Sequence, residues 1–231
     1  YFIGQNIYTP SNIEIPYLIE DERPYAGWLY AGFVSYDRDF DSENMLEFSL
    51  GVVGPYSYAE EIQKQIHEWV DSPEPQGWDN QIKTEPTANA TFKRSWLVHH
   101  SEKVGVIGHA IAAFGNVLTY AGTGAKVNVG HNVPKFFNGN NIVLKDKDDF
   151  YLFLFTEGEC RAVARNIFLD GNTFADSHRV DKKYFVAETR VGLTIGHKGV
   201  SLTLADAYMS KEFEGQDKSV KFTSLSIAKR L

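Results

Sequence analysis

Apolar and polar residues alternate with a period of two along almost the whole chain. In residues 182–197, for example, Phe185 and Val191 fall at odd positions, while Glu188 and Arg190 fall at even positions. Successive side chains point to opposite faces of a strand, so this pattern predicts strands with one apolar and one polar face. The chain is therefore predicted to be an all-β protein with about ten antiparallel strands. The strands are expected near residues 1–9, 24–36, 44–53, 86–98, 104–116, 120–131, 149–165, 182–197, 199–210 and 219–231.

Composition narrows the class of protein. The length of 231 residues suits a single β-domain, residues 1–231, that is large enough to enclose a core or a lumen. The net charge of −7 and the lack of a basic stripe argue against a nucleic-acid partner. Cys160 is the only cysteine, which excludes an intramolecular disulfide and a cysteine-rich metal framework. The apolar runs have the length of strands, so a helical membrane protein is excluded.

Two kinds of β-protein fit the alternation equally well. A soluble barrel would bury the apolar face, whereas an outer-membrane barrel turns that face towards lipid and the polar face towards its lumen. The aromatic content of 14% favours the outer-membrane barrel, because aromatic girdles lie near the strand ends of such proteins. The alternative is the ordinary preference of aromatic residues for strands. The aromatic residues in question are Trp28, Tyr30, Tyr36, Trp96, Tyr120, Tyr151 and Tyr184.

One segment departs from the period of two. Tyr58, Ile62, Ile66 and Trp69 recur at i, i+4, i+8 and i+11, which places them on one stripe of a helix. Charged residues fall on the opposite side. The spacing predicts a short amphipathic helix over about residues 58–70, inserted in a loop of the β-domain.

The same helix carries a candidate catalytic pair. Gln63 and His67 are four residues apart, so their side chains are neighbours at the border between the apolar and polar faces. Histidine titrates near neutral pH, and a neighbouring amide can fix its tautomer, so the placement suits activation of a water molecule. A histidine on a surface helix is also commonly a solvated or packing residue. The sequence alone leaves both interpretations open.

The connections between strands predict which loops lie together. In an antiparallel barrel, successive connections lie at alternate ends. The connection that holds the predicted helix, residues 54–85, then shares its end with the polar connections 9–23 and 166–181. We therefore expect these three loops to form one rim.

Six segments, in a fixed order along the chain, carry motifs of a known family. They are IGQNIYTPS from Ile3, DERPYAGWLY from Asp21, LGVVGP from Leu50, QKQIH with the following PQGWDNQ, GNVLTYAGTGAKVNVG from Gly115, and ARNIFLDGNTF from Ala164. Together they resemble the outer-membrane lipid A 3′-O-deacylases of the LpxR family. The resemblance covers nearly the whole chain, and the predicted helix falls in the connection where the family has one.

The resemblance implies an antiparallel, up-and-down β-barrel of twelve strands in the outer membrane of Gram-negative bacteria. It also implies a monomeric ester hydrolase that acts on lipopolysaccharide and removes the acyloxyacyl group from the 3′ position of lipid A. The activity of the family depends on Ca²⁺. His67 matches the catalytic histidine of the family, and Gln63 matches the glutamine one turn before it.

Four further residues are candidates for substrate binding: Asn6, Tyr8, Arg23 and Lys64. The first three are expected at the same rim as the helix, where an arginine could bind a phosphate of lipid A through two hydrogen bonds. The alternative for Arg23 is an ion pair at the rim with Glu20 or Asp21.

The chain also departs from the family pattern. The first strand of the family carries an Asn-Asp pair that belongs to the catalytic and Ca²⁺-binding residues, and this chain begins after it. We therefore expect about ten of the twelve strands, no continuous ladder between the first and last strands, and no activity from this chain alone. Most Ca²⁺ ligands would lie in the missing hairpin, and no metal ligand is assigned here. A non-catalytic outer-membrane barrel and a soluble, lipocalin-like lipid binder remain alternatives.

Overall fold

The computed structural model describes residues 1–138, 141–142 and 150–229. Ten long strands form one antiparallel, curled sheet, as the alternation predicted. A pair of two-residue strands lies between the sixth and seventh of them. Positions 149, 230 and 231 of the predicted strands lie outside the described residues. The strands are β1 (Phe2–Tyr8), β2 (Ala26–Arg38), β3 (Ser42–Val53), β4 (Glu85–His100), β5 (Val104–Gly115), β6 (Leu118–His131), the short β7 (Phe137–Asn138) and β8 (Asn141–Ile142), β9 (Tyr151–Asn166), β10 (Phe185–His197), β11 (Val200–Met209) and β12 (Val220–Lys229).

The strand order places the loops at two distinct ends. Each long strand pairs with its neighbour in the order β1-β2-β3-β4-β5-β6-β9-β10-β11-β12. The connections 9–25, 54–84, 116–117, 167–184 and 210–219 therefore share one end, which we call the helix rim. The connections 39–41, 101–103 and 198–199, together with the connection 132–150 between β6 and β9, belong to the other end, the turn rim. The prediction that the helix shares its rim with the loops after β1 and β9 is confirmed.

Two helices interrupt the sheet, and both lie at the helix rim. Helix α1 spans Ala59–Trp69 after a single 3-10 turn, Pro55–Ser57, which confirms the predicted helix to within a residue or two. Helix α2 spans only Ile167–Asp170 and is capped by the Asn166 side chain, which accepts a hydrogen bond from Phe168 N. Among the described residues, no helix has the length and apolar character needed to cross a membrane.

The two faces of the sheet differ in chemistry. Side chains that alternate along each strand face either the concave, lumenal side or the convex, outer side. Every one of the ten long strands exposes apolar residues on its outer side, which a water-soluble barrel would bury. The soluble, lipocalin-like alternative is therefore excluded. The outward residues include Ile3, Phe33, Phe48, Leu50, Phe92, Phe114, Val129, Leu154, Leu193, Leu204 and Leu225.

The lumenal face carries paired charges. His109 Nε2 lies 2.8 Å from Glu159 Oε2, and Lys93 Nζ donates to Glu157 Oε1 at 3.3 Å. Arg161 contacts Glu159 and bridges to a neighbouring strand. Charges removed from bulk water in this way are tolerated because each has an opposite partner. The polar face of the alternation thus lines the interior, as expected for a barrel whose other face meets lipid.

The aromatic girdle inferred from the sequence is wrong for most of its members. Tyr30, Tyr36, Tyr120 and Tyr151 share the lumenal parity, and Trp28 is only 7% exposed. Trp28 stacks on Tyr30 at 3.9 Å between ring centroids and donates its indole N–H to Thr87 Oγ1. These rings fill the interior because large aromatic side chains bury much apolar area. Of the seven residues named, Trp96 and Tyr184 are the exposed ones.

A hydrophobic cluster closes the lumen at the helix rim. Phe168 from α2 stacks on Tyr8 at 3.9 Å between centroids and also packs near Trp28. Val53 and Ile167 in the same cluster have no exposed surface. This cluster fixes the ends of β1, β2 and β3, and so it gives α1 a rigid wall to pack against.

The sheet has two edges, β1 and β12. No hydrogen bond of the described residues joins these strands into a ladder, as expected from the sequence. The loops next to the edges do meet, because Arg23 Nη2 lies 2.6 Å from Glu212 Oε2. This ion pair spans 189 positions of the sequence.

Candidate active site

Helix α1 lies on the outer, lipid-facing side of the wall formed by β1 and β2. Gln5 and Gly27 have outward parity on these strands. The Gln5 side chain donates to the carbonyl of Ser57, just before the helix, at 2.7 Å. A methyl group at Gly27 would collide with Ser57 Oγ and Ala59 Cβ, so the first turn of the helix packs directly on the glycine backbone. The first turn of the helix is therefore docked on the outside of the barrel.

We expect Gly27→Ala to lift α1 from the wall, because the added methyl has no space between strand and helix. The helix should then be cleaved faster in limited proteolysis while the barrel stays folded. Gly158→Ala is the matched control, since nothing lies within 4 Å of a Cβ at that strand glycine. Equal protease resistance of the two variants would contradict the close docking of α1.

Trp78 anchors the middle of the helix. It is 1% exposed and packs with Tyr25 and Ala59, and its ring centroid lies 5.0 Å from that of Tyr25. Its indole N–H donates to Gln63 Oε1 at 2.9 Å. The amide of Gln63 is thereby oriented, since Oε1 accepts the indole proton and Nε2 points elsewhere. Gln63 is thus held by Trp78, and no hydrogen bond of the described residues links it to His67.

His67 is held by the loop that follows the helix. Its Nδ1 lies 2.5 Å from the carbonyl oxygen of Pro73, and the ring is half-buried. A carbonyl oxygen can only accept a hydrogen bond, so Nδ1 carries the proton. The other nitrogen, Nε2, is then the basic one, and it makes no hydrogen bond within the described part of the chain. The geometry therefore presents an oriented imidazole with a free lone pair.

Lys64 lies next to this pair on the polar side of α1. Its Nζ lies 2.9 Å from Glu60 Oε1 and 3.6 Å from Glu74 Oε1. The hydrogen bond to Glu60 raises the pKa of Lys64, so the ammonium stays charged at neutral pH. The Lys64 ammonium thus lies on the same side of the helix as His67, and it is paired with both Glu60 and Glu74.

The other three candidates lie on the opposite side of the wall. Asn6 and Tyr8 have lumenal parity, and the Asn6 amide donates to the Tyr8 hydroxyl at 3.4 Å. Arg23 pairs with Glu212, not with Glu20 or Asp21, and its guanidinium lies 5.4 Å from the ring centroid of Phe213. The structure therefore does not bring Asn6, Tyr8 and Arg23 together with His67.

Tyr8 and Arg23 border a cavity instead. The cavity has a volume of about 690 Å³ and lies inside the curled sheet at the helix rim. Tyr8, Arg23 and Glu212 contribute to its wall, together with Arg161 and Phe222 from deeper in the strands. The sequence correctly predicted that Asn6 and Tyr8 lie at the same rim as α1. It did not predict that they face the lumen while α1 lies on the outer side of the strand.

The described residues do not by themselves make a calcium site. They contain no group of three or more His, Cys, Asp or Glu side chains placed to hold a metal ion. Glu60 on α1 and Glu74 on the loop after it are both engaged by Lys64. Calcium requires six to eight oxygen ligands. These two carboxylates alone are far fewer than that number.

Three residues of the site escaped sequence reasoning: Gln5, Pro73 and Trp78. Strand parity could have found Gln5, because it alternates with Asn6 and so must face the other side of β1. Pro73 acts only through its backbone carbonyl, which the sequence does not distinguish. Trp78 lies 15 positions after Gln63, and the loop geometry that joins them has no local signal.

Comparisons with known proteins cover both the sheet and the rim helix. The family model described as outer membrane protein LpxR matches residues 1–231. Among solved structures, the chain is similar to LpxR from Salmonella typhimurium, with a TM-score of 0.86 and 26% sequence identity. That match covers 97% of this chain and 80% of the Salmonella chain. No curated protein matches.

Proposed function

The chain belongs to the LpxR family of outer-membrane proteins, and from this premise we propose that it is a lipid A 3′-O-deacylase. Membership of the family supports a lipid A deacylase role in general terms and places the protein in the bacterial outer membrane. The specific reaction proposed is hydrolysis of the ester that holds the acyloxyacyl group at the 3′ position. The substrate is lipopolysaccharide, and the protein is proposed to act as a monomer with no nucleic-acid partner.

The observation that supports the proposal most strongly is the tautomer and orientation of the His67 imidazole. Its Nδ1–H is fixed by the Pro73 carbonyl, and its basic Nε2 is free on the lipid-facing side of the wall. In the proposed reaction, Nε2 removes a proton from water as the water oxygen attacks the ester carbonyl carbon. The bond between the carbonyl carbon and the 3′ oxygen of the sugar then breaks, and the imidazolium returns the proton to this leaving oxygen. The products are a free acyloxyacyl fatty acid and a 3′ hydroxyl.

Gln63 is proposed to stabilise the negative charge that develops on the carbonyl oxygen. Its Oε1 is occupied by Trp78, and its Nε2 has no hydrogen-bond partner among the described residues. Residues four apart on a helix have neighbouring side chains. The amide N–H of Gln63 and the Nε2 of His67 can therefore approach the same ester group. A pre-oriented donor of this kind stabilises the transition state without reorganisation during the reaction.

Lys64 is proposed to contact the anionic part of lipid A near the rim. Its charge and its position one residue after Gln63 support this role, because an ammonium is a point charge suited to phosphate. Asn6, Tyr8 and Arg23 stay in the proposal only for the lumenal side of the rim. Their contact with the same substrate molecule would require the lipid to reach around the end of β1.

Calcium enters the proposal only through the resemblance to the family. A bound Ca²⁺ would add positive charge near the developing oxyanion. The described residues hold no cluster of three or more His, Cys, Asp or Glu side chains for it, and no step above depends on the ion.

The function is tested by incubating the protein, in a version that carries the first two strands of the family, with lipopolysaccharide in detergent micelles and following lipid A by mass spectrometry; the 231-residue chain alone is expected to be inactive. Loss of the acyloxyacyl group from the 3′ position supports the proposal. Unchanged lipid A across detergents and divalent-cation concentrations would favour the alternative of a non-catalytic outer-membrane barrel.

We expect Gln63→Ala to lower the deacylation rate by about 10-fold to 10³-fold, less than loss of the base, because one oxyanion donor is removed while His67 keeps its tautomer. Initial rates on lipopolysaccharide micelles measure the effect. Gln65→Ala is the matched control, since this exposed glutamine bonds only to Glu68 on the helix surface. A Gln63→Ala rate equal to that of the control would remove Gln63 from the mechanism.

A further inference from the structure

An apolar stripe, formed by Tyr58 just before α1 and by Ile62, Ile66 and Trp69 of the helix, is partly open at the surface. These side chains are 60%, 42%, 44% and 77% exposed, respectively. The helix docks through Ala59 and Gln63 instead. Four large apolar side chains aligned along one short helix are far more than the scattered exposure that is normal for a soluble surface.

The contacts of α1 fix the direction of the stripe. Gln63, Lys64 and His67 all reach the loop 73–78 at the rim, through Trp78, Glu74 and Pro73, respectively. Residues two positions apart lie about 200° apart around a helix axis. Around the axis, Ile62 and Trp69 project on the side opposite these three rim contacts, and Ile66 lies between that side and the wall. The stripe therefore points along the wall, away from the rim and towards the middle of the barrel.

The wall in that direction is the apolar outer band of the sheet. Gly27 lies under the first turn of α1, and the next outward residues along β2 are Leu29, Ala31 and Phe33. Each step of two residues advances about 7 Å along a strand. On β3, Phe48 is paired with Phe33, and their ring centroids are 6.0 Å apart. The stripe is thus continuous with the surface that faces lipid in this outer-membrane protein.

We propose that α1 is an interfacial helix whose apolar stripe inserts into the acyl-chain layer of the leaflet at the helix rim. Four of the five connections at this rim have ten or more residues, whereas three of the four at the turn rim have two or three, so we take the helix rim as the external one and the leaflet as the outer one. The polar side, with Glu60 and Lys64, then faces the headgroup layer, which is the arrangement of an amphipathic helix lying in the plane of a membrane. This proposal is independent of the proposed hydrolysis, because it concerns the position of the helix in the membrane and can be tested without substrate turnover.

A depth measurement tests this placement. Cys160, which is exposed on the outer face of β9, is replaced by Cys160→Ala so that a single thiol can be labelled. An environment-sensitive fluorophore is attached after Ile66→Cys or Trp69→Cys on the stripe, and after Glu68→Cys as the control. Glu68 is exposed on the same helix and lies two positions, about 200°, from Ile66. Circular dichroism and heat-modifiable migration verify that each full chain is folded in vesicles.

The vesicles contain phosphatidylcholine with either brominated or unbrominated acyl chains. We expect both stripe labels to lose intensity in the brominated vesicles and to be shielded from aqueous iodide, and the Glu68→Cys label to show the reverse. Equal iodide quenching at all three positions would overturn the proposal. So would excimer emission from pyrene attached at the stripe, because it would assign this face to a second copy of the chain. Two stripe positions keep the test decisive if one variant does not fold.

Discussion

His67→Asn should lower the rate of lipid A deacylation by about 10²–10⁴-fold, the range typical for loss of a general base. Asparagine can still donate a hydrogen bond to the Pro73 carbonyl, so the loop after α1 keeps a partner, but it supplies no basic nitrogen. The barrel should fold normally, since α1 contributes no strand pairing to the sheet. Initial rates of fatty-acid release from lipopolysaccharide micelles measure the loss.

His197→Asn provides the matched control for this substitution. His197 is exposed at the end of β10, at the turn rim, and so lies at the opposite end of the strands from α1. Its replacement should leave the rate unchanged. If both variants kept the wild-type rate, the assignment of His67 as the base would fail. If both variants lost activity to the same extent, the loss would point to a general effect on folding.

Trp78→Ala should have the second largest effect, because it removes both the anchor of α1 and the hydrogen bond that orients Gln63. Replacing a fully buried large aromatic residue by alanine typically costs about 3–5 kcal/mol. Here the loss should fall on the docking of the helix, because Trp78 packs on Tyr25 and Ala59 at the rim and is not part of a strand. Hydrogen exchange in α1 should accelerate, and deacylation should fall to a level near that of His67→Asn.

Two further variants separate packing from hydrogen bonding at this position. Trp78→Phe keeps much of the buried ring but removes the indole N–H, so its rate should resemble that of Gln63→Ala while α1 stays protected from exchange. Trp96→Ala is the control for loss of a tryptophan, since Trp96 is 41% exposed on the outer face of β4. Protection of α1 that survives Trp78→Ala would show that the helix has another anchor.

The sheet could be predicted because the signal for a strand is local. The alternation of Phe185 and Val191 with Glu188 and Arg190 depends only on positions within one strand, and the structure places the first pair outside and the second pair inside. The helix was equally predictable, because the period of its apolar residues differs from that of every neighbouring segment. Taking successive strands as antiparallel neighbours placed their connections at alternate ends, and so the rim of the helix could be predicted as well.

The site was only partly predictable, because its contacts join distant segments. Parity on β1 places Gln5 beside the helix and Asn6 in the lumen, but parity has meaning only once the helix is known to lie outside the wall. Arg23 meets Glu212 across 189 positions, which explains why its sequence neighbours Glu20 and Asp21 were the wrong partners to consider. The Pro73 carbonyl that fixes the tautomer of His67 leaves no mark on the sequence at all.

The most direct test of the central claim is mass spectrometry of lipid A from Gram-negative cells that express, at equal levels in the outer membrane, the wild-type protein carrying the first two strands of the family or its His67→Asn variant. The host must retain the 3′ acyloxyacyl group on its own lipid A. The account predicts that the wild-type protein removes this group, and only this group, and that cells with His67→Asn keep it. Intact lipid A in cells expressing the wild-type protein, or the same loss of the 3′ group with His67→Asn, would contradict it.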